Sequence, residues 1–289
     1  MRKYLVGIIM ILLLMVPIAG ASNIFSINNL KKETSSSNFN AEFTHKVFVE
    51  YGTMTTCGPC VTANAQLYSI YSSGDLDFNY VTLVWDEGVK KVHNRLKDLG
   101  VVSVPHVFFD GKFKNILGGQ SSETPYRNAI TLSGNRTVPD IDISISTIWK
   151  GGGTLKITVN INNNGPDTYN GHLRVYVTEI VSRWNDNSGK PYHYAALDIP
   201  LDKTVSLTAG TSTYEKTWLG GFWGFGDITR DNIIVMATLF DASTDYVVDT
   251  TGAKPTTCSS KSIIPSALLP NIFEIVMDNF PLLAKMLSL

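Results

Sequence analysis

The sequence predicts an α/β layer domain followed by an all-β sandwich. Two observations predict it. Between His45 and Gly134, apolar runs suited to strands alternate with stretches of helical spacing, the order of a layered α/β fold. From about Val138 the apolar period drops to two, and clusters of turn residues cut the chain into short segments, which suits antiparallel sheets packed face to face.

The first segment to place is "MRKYLVGIIMILLLMVPIAGAS". Arg2 and Lys3 precede an apolar run, and Ala19, Gly20 and Ala21 form an A-x-A-like cleavage site. This reads as a secretory signal over residues 1–21, cut before Ser22. Residues 22–44 are rich in Ser and Asn, which makes them a flexible linker. The α/β domain is expected over 45–136. "KVFVEY" is its first strand, "VTANAQLYSIYSS" a helix with Ala63, Leu67, Ile70 and Tyr71 near one face, and "DFNYVTLVWD" a second strand. "EGVKKVHNRLKDLG" reads as a helix with Val89, Val92 and Leu96 inward and Gly100 closing it. "VPHVFFDGKFKNILGG" is a hairpin turning at Asp110-Gly111, and "SSETPYRNAITLSG" a last helix ending at Gly134.

The sandwich is expected over 137–252 and is of immunoglobulin-like type. "TLKITVNIN" shows the pattern: Leu155, Ile157, Val159 and Ile161 fall on one face, Thr154, Lys156, Thr158 and Asn160 on the other. "IDISISTI", "HLRVYVT", "YHYAALDI", "KTVSLTA", "STYEKTW", "NIIVMATLF" and "DYVVDT" supply further strands, and "GGG", "NNNGPD" and "NDNSGKP" the turns. Residues 253–289 are a linker and an amphipathic helix, suited to a protein groove or the membrane surface. Glu274, Asp278 and Lys285 argue against a transmembrane span there.

Composition narrows the function classes. The chain has 289 residues, 44% hydrophobic and 17% charged, room for two globular cores. Without residues 1–21 it carries 22 basic and 25 acidic side chains, a net charge of −3. That lacks the basic footprint of a nucleic-acid binder. Export places the cysteines in an oxidising compartment, extracellular or in the cell envelope.

Two of the three cysteines, Cys57 and Cys60, frame the stretch Cys57-Gly58-Pro59-Cys60. As a structural staple the pair closes a loop so short that it constrains the unfolded chain by about 2 kcal/mol, against roughly 4–5 for a long loop. As a metal clasp it lacks a second pair: Cys258 is alone, and His45, His93, His106, His172 and His193 do not fall at finger spacing. As a reacting pair it suits its context. A strand precedes it and a helix follows, so Cys57 falls at the helix N-terminus, where amide N–H groups favour a thiolate. Cys57 then attacks and Cys60 resolves. No cofactor is needed.

At this point the chain resembles the thioredoxin family. The residues that carry the resemblance are "CGPC" between strand and helix, and "VVSVPHVFF", where Pro105 lies 45 residues after Cys60. The resemblance implies a cis-proline at Pro105, with the Val104 backbone pairing with substrate polypeptide. It implies thiol–disulfide oxidoreductase activity on proteins, with Gly-Pro between the cysteines resembling the reducing members and the compartment favouring oxidation. A reductase or isomerase is favoured over an oxidase, and a reducing role would need a membrane redox partner to deliver electrons. With one residue inserted in "YGTMTT", the resemblance puts Glu50 in the place of the family's buried acid, which accepts a proton from the resolving thiol; the alternative is an ordinary exposed strand residue. Thr56 stands where the family has Trp.

Two rival readings are a surface adhesion or scaffold protein retaining a thioredoxin shell, and a copper chaperone using Cys57, Cys60 and His106. Trp218, Phe222, Trp223 and Phe225 are expected to pack over the open end of the sandwich, and Asn135-Arg136-Thr137 matches a glycosylation sequon.

Overall fold

The first strand, β1 (Val47–Thr53), is buried along its whole length, and that continuous burial sets the plan of the molecule. The computed structural model describes residues 43–257. The expected signal, most of the Ser/Asn linker, Cys258 and the C-terminal helix lie outside the described residues.

After β1 come α1 (Cys60–Ser73), β2 (Phe78–Val84), a 3-10 turn at Trp85–Glu87 and α2 (Lys90–Asp98). The hairpin β3 (His106–Phe109) and β4 (Lys114–Leu117) and then α3 (Thr124–Gly134) follow. α1 stops at Gly74, whose left-handed φ of 68° lets its N–H reach the Tyr71 carbonyl, as a helix C-cap requires. The remaining strands are β5 (Ile141–Gly151), β6 (Thr154–Asn163), β7 (Tyr169–Asn185), β8 (Pro191–Leu207), β9 (Gly210–Leu219), β10 (Ile233–Asp241), β11 (Val247–Ala253) and β12 (Thr256–Thr257). β7 and β8 have 17 residues each: β7 extends well beyond "HLRVYVT", and β8 joins "YHYAALDI" and most of "KTVSLTA" into one strand.

Two mixed sheets result. The larger has the order β11-β10-β7-β8-β2-β1-β3-β4, and the smaller β12-β5-β6-β9. β1 and β2 run parallel, as do β2 and β8, which meet through the single register pair Thr82–Ala195. The Thr82 hydroxyl reinforces this seam by donating to the His193 carbonyl at 2.7 Å.

Each side of the large sheet has its own core. The period-two face of β6 (Leu155, Ile157, Val159, Ile161) packs with Leu173, Val175 and Leu239 of the opposing strands. Trp218 closes that core with its indole N–H donated to Asp198 at 2.8 Å, which satisfies the one polar atom of a buried tryptophan. Phe225 stacks on Trp218, whereas Phe222 and Trp223 are 78% and 59% exposed, so the aromatic cluster divides rather than packing as one plug. The second core gathers Phe48, Tyr51, Leu67, Tyr80, Leu96 and Tyr176.

A buried ionic cluster joins the parts. Arg95 of α2 grips Glu50 of β1 with Nε and Nη2 at 2.8 and 2.7 Å, and its Nη1 donates to Asp245 at 3.2 Å. Tyr176 of β7 donates to the same Glu50 carboxylate at 2.7 Å, and Arg174 reaches Asp245 at 3.1 Å. Arg95 and Arg174 lie over the Phe240 ring at 4.9 and 4.8 Å. Desolvation opposes charge on Arg95, but Glu50 outweighs it and holds the guanidinium pKa well above its ordinary value.

The expected fold class, an α/β domain of thioredoxin type followed by a separate immunoglobulin-like sandwich, is corrected by this architecture. Strands make up about half of the described residues and helices about a fifth. The strands assigned to two successive domains instead share one eight-stranded sheet. The physical reason is the β2–β8 pairing: the edge of the first group of strands is satisfied by the second group.

Candidate functional site

β1 carries the chain up to the cysteines, and its alternation decides what faces them. Tyr51 points toward α1, and its hydroxyl donates to the Cys60 carbonyl at 2.8 Å. Burial pushes the Tyr51 phenol pKa well up, so it stays protonated as a donor. Glu50, one residue earlier, points to the opposite face and is taken up by Arg95 and Tyr176. The expectation that Glu50 relays a proton from Cys60 is therefore corrected: in a strand, neighbouring side chains face opposite ways, and Tyr51 occupies the side next to Cys60.

Cys57 and Cys60 form a disulfide with Cα atoms 5.3 Å apart. α1 begins at Cys60 with Pro59 as its cap residue, so Cys57 stands in the turn ahead of the helix rather than within its first turn. The turn is held by Cys57 N–H donating to the Met54 carbonyl at 3.1 Å and Val61 N–H to the Gly58 carbonyl at 3.2 Å. Thr55 binds the Asp86 carboxylate through its N–H at 3.0 Å and its hydroxyl at 2.6 Å. The two sulfurs differ in access: Cys60 is fully buried, Cys57 half-buried at the rim.

The Val104–Pro105 peptide is cis. The Val104 carbonyl oxygen lies 3.7 Å from Cys57 Sγ, a contact without a hydrogen bond because a disulfide sulfur carries no proton. The Pro105 carbonyl accepts from Gly118 N–H at 2.8 Å. Gly119 then passes so close to Pro59 that a Cβ there would lie 2.9 Å from the Pro59 carbonyl oxygen. Cys57, Cys60, Val104 and Pro105 are thus one cluster, whereas Glu50 belongs to another.

His106 does not join the sulfurs. Its Nε2 is hydrogen-bonded to Asn115 at 3.1 Å and its ring packs on Phe108 at 4.2 Å. Among the described residues no group of His, Cys, Asp or Glu could hold a metal ion, so the copper reading has no built site.

Sequence reasoning missed the hairpin between β7 and β8, which comes to the cysteines from far along the chain. Asp186 accepts from Asn64 of α1 at 2.9 Å. The Tyr192 hydroxyl donates to the Met54 carbonyl at 2.9 Å and shares a 3.0 Å hydrogen bond with Thr53. The "NDNSGKP" turn was the local signal, but nothing in it points to a partner in the first half of the chain. A separate cavity of about 530 Å³ lies between Glu87, Lys91, Trp184, Leu197 and Trp223. It is apart from the disulfide, which sits on an open rim.

No family model matches the chain, and no curated protein sequence does. Among solved structures, HBP35 of Porphyromonas gingivalis is similar with a TM-score of 0.62 at 15% identity, covering 77% of this chain and 80% of that one. A protein of Agrobacterium tumefaciens gives a TM-score of 0.45 at 15% identity, over 73% and 95% of the two chains. A domain of the outer membrane lipoprotein Omp28 from Porphyromonas gingivalis gives 0.24 at 17%, over 42% and 92%.

These comparisons correct the family and activity drawn from the CGPC stretch. The likeness to HBP35 extends over most of a mainly β chain, about half strand and a fifth helix, and this is not the α/β fold that the stretch implies. The reading as a reductase or isomerase of protein disulfides is overturned with it, as are the scaffold with a thioredoxin shell and the copper chaperone.

Proposed function

We propose that the Cys57–Cys60 bond is a redox-responsive disulfide of a cell-envelope protein, itself the target that an outside thiol opens, and not a catalyst acting on the disulfides of other proteins. The observation that carries this reading is the unequal access of the two sulfurs: Cys57 is reachable from solvent and Cys60 is fully buried. An incoming thiolate can attack only Cys57 Sγ. The S–S bond breaks, a mixed disulfide forms on Cys57, and Cys60 leaves as a thiolate that takes up a proton. A second outside thiolate that attacks the outer sulfur of the mixed disulfide releases Cys57 as a thiol and leaves the two outside thiols joined, so two electrons enter the pair; attack by Cys60 on Cys57 Sγ instead re-forms the starting disulfide with no net transfer.

The leader-like residues 1–21 support an exported location, where such a disulfide persists. Thr56, Gly58 and Pro59 around Cys57 are exposed and carry no charge, which supports access of an outside thiol to that sulfur. The C-terminal amphipathic stretch offers a contact to the membrane surface or a membrane partner.

The test is a titration of the oxidised protein in glutathione buffers of graded potential, read by alkylation and mass. In a Cys258→Ser background, Cys60→Ser should accumulate a mixed disulfide on Cys57, and Cys57→Ser, whose remaining thiol is buried, should accumulate none. A disulfide that stays closed in the folded protein at every potential, or equal trapping in both variants, refutes the reading.

A further inference from the structure

The turn between β7 and β8 stands beside the disulfide and is held there firmly. Asp186 gathers it: Oδ1 accepts from Ser188 N–H at 2.9 Å, Ser188 hydroxyl at 2.7 Å and Lys190 N–H at 3.2 Å. Oδ2 accepts from Asn64 of α1, which also donates to the Pro191 carbonyl at 3.4 Å. Burial alone would raise the Asp186 pKa, but these hydrogen bonds outweigh it and hold the carboxyl below its ordinary value.

At the tip sits Asn187, exposed and without a hydrogen bond among the described residues. Its Nδ2 lies 4.0 Å from where a Cβ on Gly58, the neighbour of Cys57, would stand. The sheet order places β8 on the β2 side of β1 and the Val104–Pro105 loop on the β3 side. Val104 thus touches Cys57 Sγ from the β3 side, and the Asn187 turn stands against Gly58, the residue after Cys57, from the β8 side.

We propose that Asn187 and the turn that carries it are a specificity-determining wall for the thiol that opens the Cys57–Cys60 disulfide. Attack on a disulfide needs the incoming sulfur in line with the bond that breaks, so lateral room above Cys57 decides who reaches it. A cysteine on a flexible or terminal segment reaches it, and one set flush in a folded surface is turned away. This inference rests on the thiol-exchange reading and deepens it by naming the class of partner.

The experiment uses the full oxidised chain in a Cys258→Ser background, so that one disulfide reports. Opening rates are measured with glutathione and with a small globular protein carrying a single surface cysteine. Asn187→Ala should speed opening by the protein thiol about three- to tenfold while leaving the glutathione rate within about twofold, as relief of an orientational constraint does. Asn187→Trp should slow the protein thiol alone. Rates that shift in parallel for both thiols, or not at all, overturn the wall. A disulfide that resists glutathione in every variant overturns the exchange reading itself, and the wall with it.

Discussion

Replacing Arg95 by Met strips one partner from the buried ion pair. Arg95 is 1% exposed and Glu50 fully buried. The change removes two charge-assisted hydrogen bonds to Glu50, at 2.8 and 2.7 Å, and one to Asp245 at 3.2 Å. Only the Tyr176 hydroxyl then remains on the Glu50 carboxylate. Breaking a buried pair in this way costs about 3–5 kcal/mol, more than a neutral hydrogen bond at about 1. With a urea slope of about 2–3 kcal/mol/M, the unfolding midpoint should fall by about 1–2 M. The double change Glu50→Leu with Arg95→Met removes both charges together and should regain at least about 2 kcal/mol of that loss. Urea unfolding of the three proteins, followed by fluorescence, measures both quantities. A single variant that loses less than about 1 kcal/mol, or a double variant no more stable than the single, would refute the claim that burial of an unpaired carboxylate sets the magnitude.

Acid should destabilise the fold through Asp241 and Asp245. Burial alone would raise both pKa values, but hydrogen bonds from Ser243, Tyr169 and Thr244 outweigh it at Asp241, as Arg95 and Arg174 do at Asp245. Carboxyls held low in the folded state stabilise above their unfolded pKa of about 4, and that stability is lost as pH falls through the lower folded values. Melting temperature should therefore drop between about pH 4 and pH 2, less steeply in Asp241→Asn. Trp218→Ala empties a buried site and leaves Asp198 without its indole donor, at a cost of about 3–5 kcal/mol in chemical unfolding. Gly119→Ala forces a Cβ to within 2.9 Å of the Pro59 carbonyl oxygen. It should cost about 1–3 kcal/mol and alter the rate at which thiols open the disulfide, whereas Gly118→Ala, with open space around it but a φ of 85°, acts through strain alone.

Local chemistry was well written in the sequence. The alternation of Leu155, Ile157, Val159 and Ile161 marks a half-buried strand, and all four face the core. Asp110-Gly111 marks a turn, with φ values of 51° and 64°. The closeness of Cys57 and Cys60 needed only their spacing. Long-range pairing was not legible. Nothing in "FNYVTLV" or "YHYAALD" says that Thr82 will meet Ala195 more than a hundred residues away, because parallel pairing leaves no periodic mark of its partner. Nor could β1 reveal which face Glu50 takes, since every residue from Val47 to Thr53 is buried. Arg95 reads as an ordinary outward residue of a charged helix, and only the folded arrangement of Glu50, Tyr176 and Asp245 explains why it lies inside.

Gly111 has a consequence for how the chain can be divided. It bridges to Tyr246, and its left-handed φ comes with a backbone so near Asp245 that no side chain fits. Arg136 crosses the same junction, donating to Asp110 and to the Val247 carbonyl. A protease cut or gene truncation between Gly134 and Pro139 would thus bare a charged, unmatched surface on both fragments. Neither fragment should persist on its own as a folded module.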